Sequence, residues 1–199
     1  MLEPASEFWS FMFKTRLIRH LGRNIIYRLP KYSTRLPDGN YIFVNPRDKS
    51  HEWIVQEIYG DSIYEKEFGV LEGYSVIDVG TNIGVFSLKA AKLVGPKGRV
   101  IAIEPNTRCY ELLEANVRSN SRFNVTLLNS AVSDSEAEAL LYLDQYSALA
   151  SLFQNHGDTE IGRWKIQATQ ATRTITLDSL IERYHMDRVD FERSCSFDG

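Results

Sequence analysis

Asp78, Gly80, Asn82 and Gly84 stand at alternate positions, directly after the apolar stretch Val76-Ile77 and before the apolar run that starts at Val85. The pattern reads as a buried strand, a tight glycine turn and the start of a helix. That arrangement aims backbone N–H groups at a bound anion. Gly80 gives the turn backbone angles that side chains disfavour, and Gly84 lets the helix come close to the strand or to a ligand. Glu104, twenty-six positions beyond Asp78, ends a second apolar run, Arg99 to Ile103. A carboxylate there can accept hydrogen bonds from both hydroxyls of a ribose. A dinucleotide site wants G-x-G-x-x-G, yet Asn82 and Ile83 stand where further glycines would be needed. A cofactor with no pyrophosphate needs fewer glycines, and a cationic ammonium and sulfonium suit Asp78. The spacing therefore favours S-adenosylmethionine over NAD. Asn129, Ser130 and Ala131 follow a third apolar run, where an adenine edge can be read or where a strand simply ends.

The elements that must position these residues follow from periodicity. From residue 75 the order is β-α-β-α-β, with strands over Ser75–Val79, Arg99–Ile103 and Val125–Leu128 and helices over Gly84–Val94 and Thr107–Asn120, the latter capped by Asn106. Continuous apolar strands of this kind are covered on both faces. Beyond them, Ala139–Leu143 reads as a strand joined to the third by a turn at Ser133–Glu136. Residues 144–162 are irregular. Arg173–Leu177 reads as a strand, and Asp178 caps a short helix over Ser179–Tyr184. Val189-Asp190-Phe191 begins a fourth parallel strand, but Glu192–Gly199 lacks the β-branched content of a central strand. Upstream, Leu36–Val44 is a hairpin turning at Asp38-Gly39, and Ser50 caps a helix that Gly60 ends. The expected organisation is an N-terminal helical and hairpin extension over 1–70 and a partial cofactor-binding domain over 71–199.

Composition sets bounds on function. The chain has 199 residues, 43% of them hydrophobic, and a net charge of −3, so neither disorder nor a nucleic-acid partner is indicated. Residues 1–35 carry a net charge of +5 and the remainder −8. The basic-aromatic stretch 8–28 either lies on an anionic membrane surface or packs across the domain with its charges solvated. Its apolar core is too short to span a bilayer. Cys109 and Cys195 have no CxxC or Cys/His neighbour, so neither zinc nor a disulfide framework is expected, and a cytoplasmic setting is the simpler reading. His156 and Asp144 are the residues considered for a general base, with a surface role the plainer reading of each, and no catalytic residue is assigned.

Taken together, Val76–Gly84 with Phe86-Ser87-Leu88, Val100–Asn106 and Thr176–Leu180 resemble the FkbM-type S-adenosylmethionine-dependent methyltransferases over roughly residues 60–191. The resemblance implies a Rossmann-like class I methyltransferase sheet and O-methylation of a sugar or other small-metabolite hydroxyl. It implies cofactor roles for Asp78, Gly80, Asn82, Gly84 and Glu104, and an upstream segment, Tyr64 and Glu65, that closes over the cofactor. The family continues after Val-Asp-Phe with I-K-I-D-x-E-G, which this chain lacks. The resulting expectation is a chain truncated at the C-terminus, missing its C-terminal strands and a poor enzyme alone, with the first strand left as an exposed edge prone to self-association. Two alternatives stand beside it: a non-catalytic methyltransferase remnant, and a fragment of an NAD(P)-binding oxidoreductase, which the missing glycines disfavour.

Overall fold

A computed structural model describes residues 32–60, 69–122, 124–153, 158–159, 162–163 and 166–194. The stretch 8–28, Tyr64, Glu65, His156, Trp164 and Cys195 lie outside the described residues. A hairpin of β1 (Tyr32–Arg35) and β2 (Tyr41–Val44) leads to α1 (Ser50–Tyr59). The alternating unit follows: β3 (Ser75–Val79), α2 (Val85–Val94), β4 (Arg99–Ile103), α3 (Thr107–Ser119) and β5 (Val125–Leu128). Next come β6 (Ala131–Val132), β7 (Glu138–Leu143), a 3-10 turn (Ser147–Leu149) and the short pair β8 (Asp158–Thr159) and β9 (Gly162–Arg163). The described chain closes with β10 (Ala168–Ile175), α4 (Leu177–Arg183) and β11 (Phe191–Ser194).

The main sheet is parallel, in the order β11-β3-β4-β5. Its strands alternate between two cores, as strands covered on both faces must. Val76, Val100 and Ala102 pack with α1, α2 and α3, while Ile77, Ile101 and Ile103 pack with Ile175, Leu180 and Met186. A second sheet, β6-β10-β7, joins β10 to β6 in parallel and to β7 antiparallel. The partner of β7 is thus β10, not the third parallel strand. The caps also differ from expectation. Ser50 lies inside α1, its hydroxyl donating to Asp48, and Thr176, not Asp178, accepts from Ser179 N at the start of α4.

The fourth strand is the main correction. Residues 191–194 form β11 and pair in parallel with β3, Phe191 beside Val76 through to Ser194 beside Val79. The outer side of β3 is therefore covered, and it is not the edge through which self-association was expected. The strand forms despite its polar sequence because it is an edge strand with one face packed. Phe191 stacks on Phe86 of α2 at 5.6 Å between ring centroids, and Arg193 turns inward on the same face, whereas Glu192 and Ser194 point to solvent. Its entry is fixed by Asp190, whose backbone N–H donates to Ser75 O and whose carboxylate accepts from Ser75 N at 2.8 Å.

The hairpin sits on α3 through two side-chain amides. Asn116 accepts from Phe43 N and donates to Phe43 O, while Asn120 accepts from Tyr41 N and donates to Tyr41 O. Asn116 also donates to Ile83 O in the glycine turn.

Candidate cofactor and acceptor site

The turn after β3 holds three left-handed residues at alternate positions, Gly80 (φ 71°), Asn82 (φ 52°) and Gly84 (φ 85°). Asparagine is among the few non-glycine residues that tolerate this region, which is why Asn82 can stand where a glycine might be looked for. At Gly84 a Cβ would collide with Leu113 Cδ1 of α3, so the close approach that Gly84 permits is between two helices rather than to a ligand.

The backbone N–H groups of this turn are not left for an anion. Gly80 N and Thr81 N donate to Ile103 O, and Gly84 N donates to Thr81 O. Asn82 N donates to Glu104 Oε2 at 2.7 Å, and Ile83 N to Asn82 Oδ1 at 2.9 Å. The anion cradle expected of a strand–glycine–helix turn is filled by the chain itself. One polar atom stands apart: Thr81, 2% exposed, has a buried hydroxyl with no hydrogen-bond partner.

Glu104 is 4% exposed at the end of β4 and joins two loops. Its second oxygen accepts from Asn106 N at 2.8 Å. Burial pushes this carboxyl up to about 7, against the two backbone donors that favour its charged form, with a smaller upward push from Asp78. Each oxygen has taken one N–H and retains a second lone pair. Asn129 braces the same corner, donating its amide to Glu104 O and Pro105 O, and Ala131 turns away into β6 beside Thr174.

Asp78 is fully buried, and its partners are internal. Ser87 donates to Oδ2 at 2.5 Å, and the Arg193 guanidinium lies 3.2 Å from Oδ1. Burial raises the Asp78 carboxyl above its ordinary range, while Arg193 and Ser87 pull it down. Arg193, itself 4% exposed, also lies 3.6 Å from Glu57 of α1 and over the Phe86 ring. Sequence reasoning missed Arg193. The available signal was a basic residue two places into a strand that must pair beside Asp78.

A cleft of about 630 Å³ opens beside the exit of β4, lined by Asp48, His51, Asn106, Cys109, Asp144 and Ser147 among others. Ser147 ties it to the glycine turn. Its Oγ accepts from Asn82 Nδ2 at 2.9 Å and lies 3.1 Å from Ser50 Oγ, which in turn donates to Asp48 Oδ1 at 2.6 Å. Asp48 Oδ2 accepts from Ser147 N. His51 Nδ1 accepts from Asn45 N at 3.1 Å, so the neutral ring carries its proton on Nε2, which faces Ser147 Oγ at 3.4 Å. Burial lowers His51 from its ordinary value, against Asp48. Burial, then the charge of Glu104, raises the Cys109 thiol, which keeps it protonated and unsuited to attack. Asp48, His51 and Ser147 were not singled out from the sequence, because only folding brings together α1 and a loop some hundred residues later. Among the described residues no cluster could hold a metal ion, and no helix is long and apolar enough to cross a membrane.

The family model for the methyltransferase FkbM domain matches residues 78–192, more than half of the chain. A search of curated proteins gives no match. Among solved structures, the chain is similar to a SAM-dependent methyltransferase from Aquifex aeolicus, with 35% identity over 38% of this chain and 40% of that one and a TM-score of 0.34. It is similar to a putative rRNA methylase from Clostridium thermocellum, with 28% identity over 36% and 39% and a TM-score of 0.33. For a SAM-dependent O-methyltransferase from Thermotoga maritima the figures are 22%, 50%, 40% and 0.34. The matched part thus spans about 40% of the length of each of these proteins.

Proposed function

The chain belongs to the methyltransferase FkbM domain family, and from that premise we propose that it binds S-adenosylmethionine at the mouth of β3 and β4 and methylates a hydroxyl of a sugar or other small metabolite. The observation that carries the reading is Glu104, a buried carboxylate at the end of β4 that faces the glycine turn with a lone pair to spare on each oxygen. In an open α/β sheet, ligands sit outside the carboxyl ends of the strands where the strand order reverses. With β11 in place, that crevice lies between β3 and β11. Glu104 then accepts from the ribose hydroxyls, and Asn106 and Asn129 hold its loop.

S-adenosylmethionine supplies a methyl group on a cationic sulfur that leaves as a neutral thioether. The protein's main task is therefore to align the acceptor oxygen. The cleft beside Asn106 suits a polyhydroxylated acceptor, because its lining is rich in polar side chains, Asn45, Asp48, Asn106 and Gln167 among them. The acceptor oxygen loses a proton as it gains the methyl. We assign the half-buried Asp144 of the same lining, whose Oδ1 accepts from Tyr146 N at 3.0 Å, as the carboxylate that receives that proton.

Titration calorimetry on the full chain tests the cofactor. S-adenosylhomocysteine should bind and NAD should not; the reverse result refutes the reading. Methyl transfer from labelled S-adenosylmethionine to a panel of monosaccharides and small alcohols tests the acceptor class, and transfer confined to amines would overturn O-methylation.

A further inference from the structure

We propose that Ser147, in the loop that lines the cleft, is a positioning residue for the cofactor site: its hydroxyl holds the Asn82 side-chain amide and thereby keeps the Asn82 backbone N–H on Glu104. The inference rests on the cofactor reading above and adds to it a residue far from the glycine turn in sequence.

Asn82 is 5% exposed and holds a left-handed backbone, φ 52°. Glycine would take that conformation unaided. Asparagine tolerates it at some cost but brings an amide, and both ends of that amide are used. Oδ1 accepts from Ile83 N at 2.9 Å, and Nδ2 donates to Ser147 Oγ at 2.9 Å. The backbone N–H of the same residue donates to Glu104 Oε2 at 2.7 Å. The side chain thus clamps the conformation that aims the main-chain donor at the carboxylate.

Ser147 is itself fixed from the other side. Ser50 Oγ donates to Asp48 Oδ1 at 2.6 Å, so across the 3.1 Å contact it is Ser147 that donates to Ser50. Its lone pairs are left for Asn82, with His51 Nε2 at 3.4 Å. Ser147 N donates to Asp48 Oδ2. The side-chain hydrogen bonds run in one sense, from Asn82 to Ser147 to Ser50 to the Asp48 carboxylate, and each strengthens the next. A hydroxyl that lines the cleft therefore sets a donor on the buried carboxylate of the cofactor site.

The readout follows from what surrounds Glu104. Burial raises this carboxyl, and the N–H groups of Asn106 and Asn82 hold it down. Asp78 on β3 pushes it up, and Cys109 on α3 is a protonated neighbour. Losing the Asn82 bond must raise Glu104 beyond about 7. His51, lowered by burial, is neutral from pH 6.5 upward and adds no step there.

The test is calorimetry of the full chain with S-adenosylhomocysteine between about pH 6.5 and pH 8.5, for wild type, Ser147→Ala and Ser147→Ala/Asn82→Gly. Affinity falls below the pH at which Glu104 takes up its proton. Ser147→Ala should move that break upward by about 0.7 of a pH unit, the worth of one neutral hydrogen bond. The loss of affinity is then about threefold at pH 7 and almost nil at pH 8.5. In the double variant glycine holds the left-handed turn without a clamp, and the break should return to its wild-type place. If Ser147→Ala fails to fold, Ser147→Cys, nearly the same in shape but with a weak sulfur acceptor, provides the same comparison. Equal weakening at every pH, or a double variant no better than Ser147→Ala, would show that Ser147 serves only its own loop and overturn the inference. Wild-type binding with an unaltered Ser147→Ala variant removes Ser147 alone, whereas failure of the wild type to bind S-adenosylhomocysteine removes the cofactor reading itself.

Discussion

Replacing Arg193 with methionine tests whether β11 is held to the sheet by charge. In the native fold the guanidinium lies 3.2 Å from the fully buried Asp78 carboxylate, whose other oxygen takes the Ser87 hydroxyl. Methionine fills similar space but leaves Asp78 with a single neutral donor. Breaking a buried pair from one side costs about 3–5 kcal/mol, which in a chain of this size lowers the unfolding temperature by roughly 10 °C. The penalty must depend on pH. Without Arg193, burial raises Asp78 further, so the folded state binds a proton that the unfolded chain does not, and stability falls as pH rises through the folded value. The variant should therefore be closer to wild type at pH 5 than at pH 8. Asp78→Asn in the same chain removes the orphan charge and should recover most of the loss. Urea unfolding of wild type, both single variants and the double variant, at the two pH values, closes the cycle. A cost below about 1 kcal/mol for Arg193→Met, or a double variant no more stable than that single one, would refute the reasoning.

Three further outcomes are expected. Because burial raises Glu104 to about 7 from its ordinary 4.5, the folded state holds a proton more tightly than the unfolded one. Stability is then greatest below pH 4.5 as far as this group is concerned and declines by about 3 kcal/mol towards pH 7. Glu104→Gln should flatten that slope in thermal unfolding, and an unchanged slope would remove Glu104 as its source. Ribose donors favour the charged carboxylate, so S-adenosylhomocysteine should bind more tightly at pH 8 than at pH 5.5. Gly84→Ala should cost about 2–3 kcal/mol, since it adds a Cβ against buried Leu113 at a φ of +85°; a loss below 0.5 kcal/mol in urea unfolding would show that Leu113 simply yields.

The parallel strands were legible because continuous apolar runs such as Val100 to Ile103 have few other uses, and β3, β4 and β5 fall where the sequence predicts them. The edge strand was not. Glu192 and Ser194 face solvent, and a strand with one wet face needs no apolar run, so its polarity was misread as failure. The family motif correctly marked Glu104 and the turn as neighbours, but periodicity carries no information on hydrogen-bond partners. It could not show that Glu104 is loaded by Asn82 N and Asn106 N. Replacing Glu104 with alanine should therefore also destabilise the ligand-free fold, because two buried donors lose their acceptor. The Asp48–Ser50–Ser147–Asn82 chain was invisible because its members are spread over a hundred positions in an otherwise unremarkable polar background.

The two amides of α3 have a metrical consequence. Positions 116 and 120 are four residues apart on a helix, a rise of about 6 Å, while Tyr41 and Phe43 are two apart on a strand, about 6.8 Å. The two repeats nearly coincide, so the helix offers β2 a ladder in place of a third strand. A shift of β2 by one residue would present the opposite set of backbone groups and lose every rung. The hairpin is thus calibrated against the helix that follows Glu104. Since Asn116 also grips Ile83, residues 32–44 are a ruler laid along the glycine turn, not a detachable preface to it.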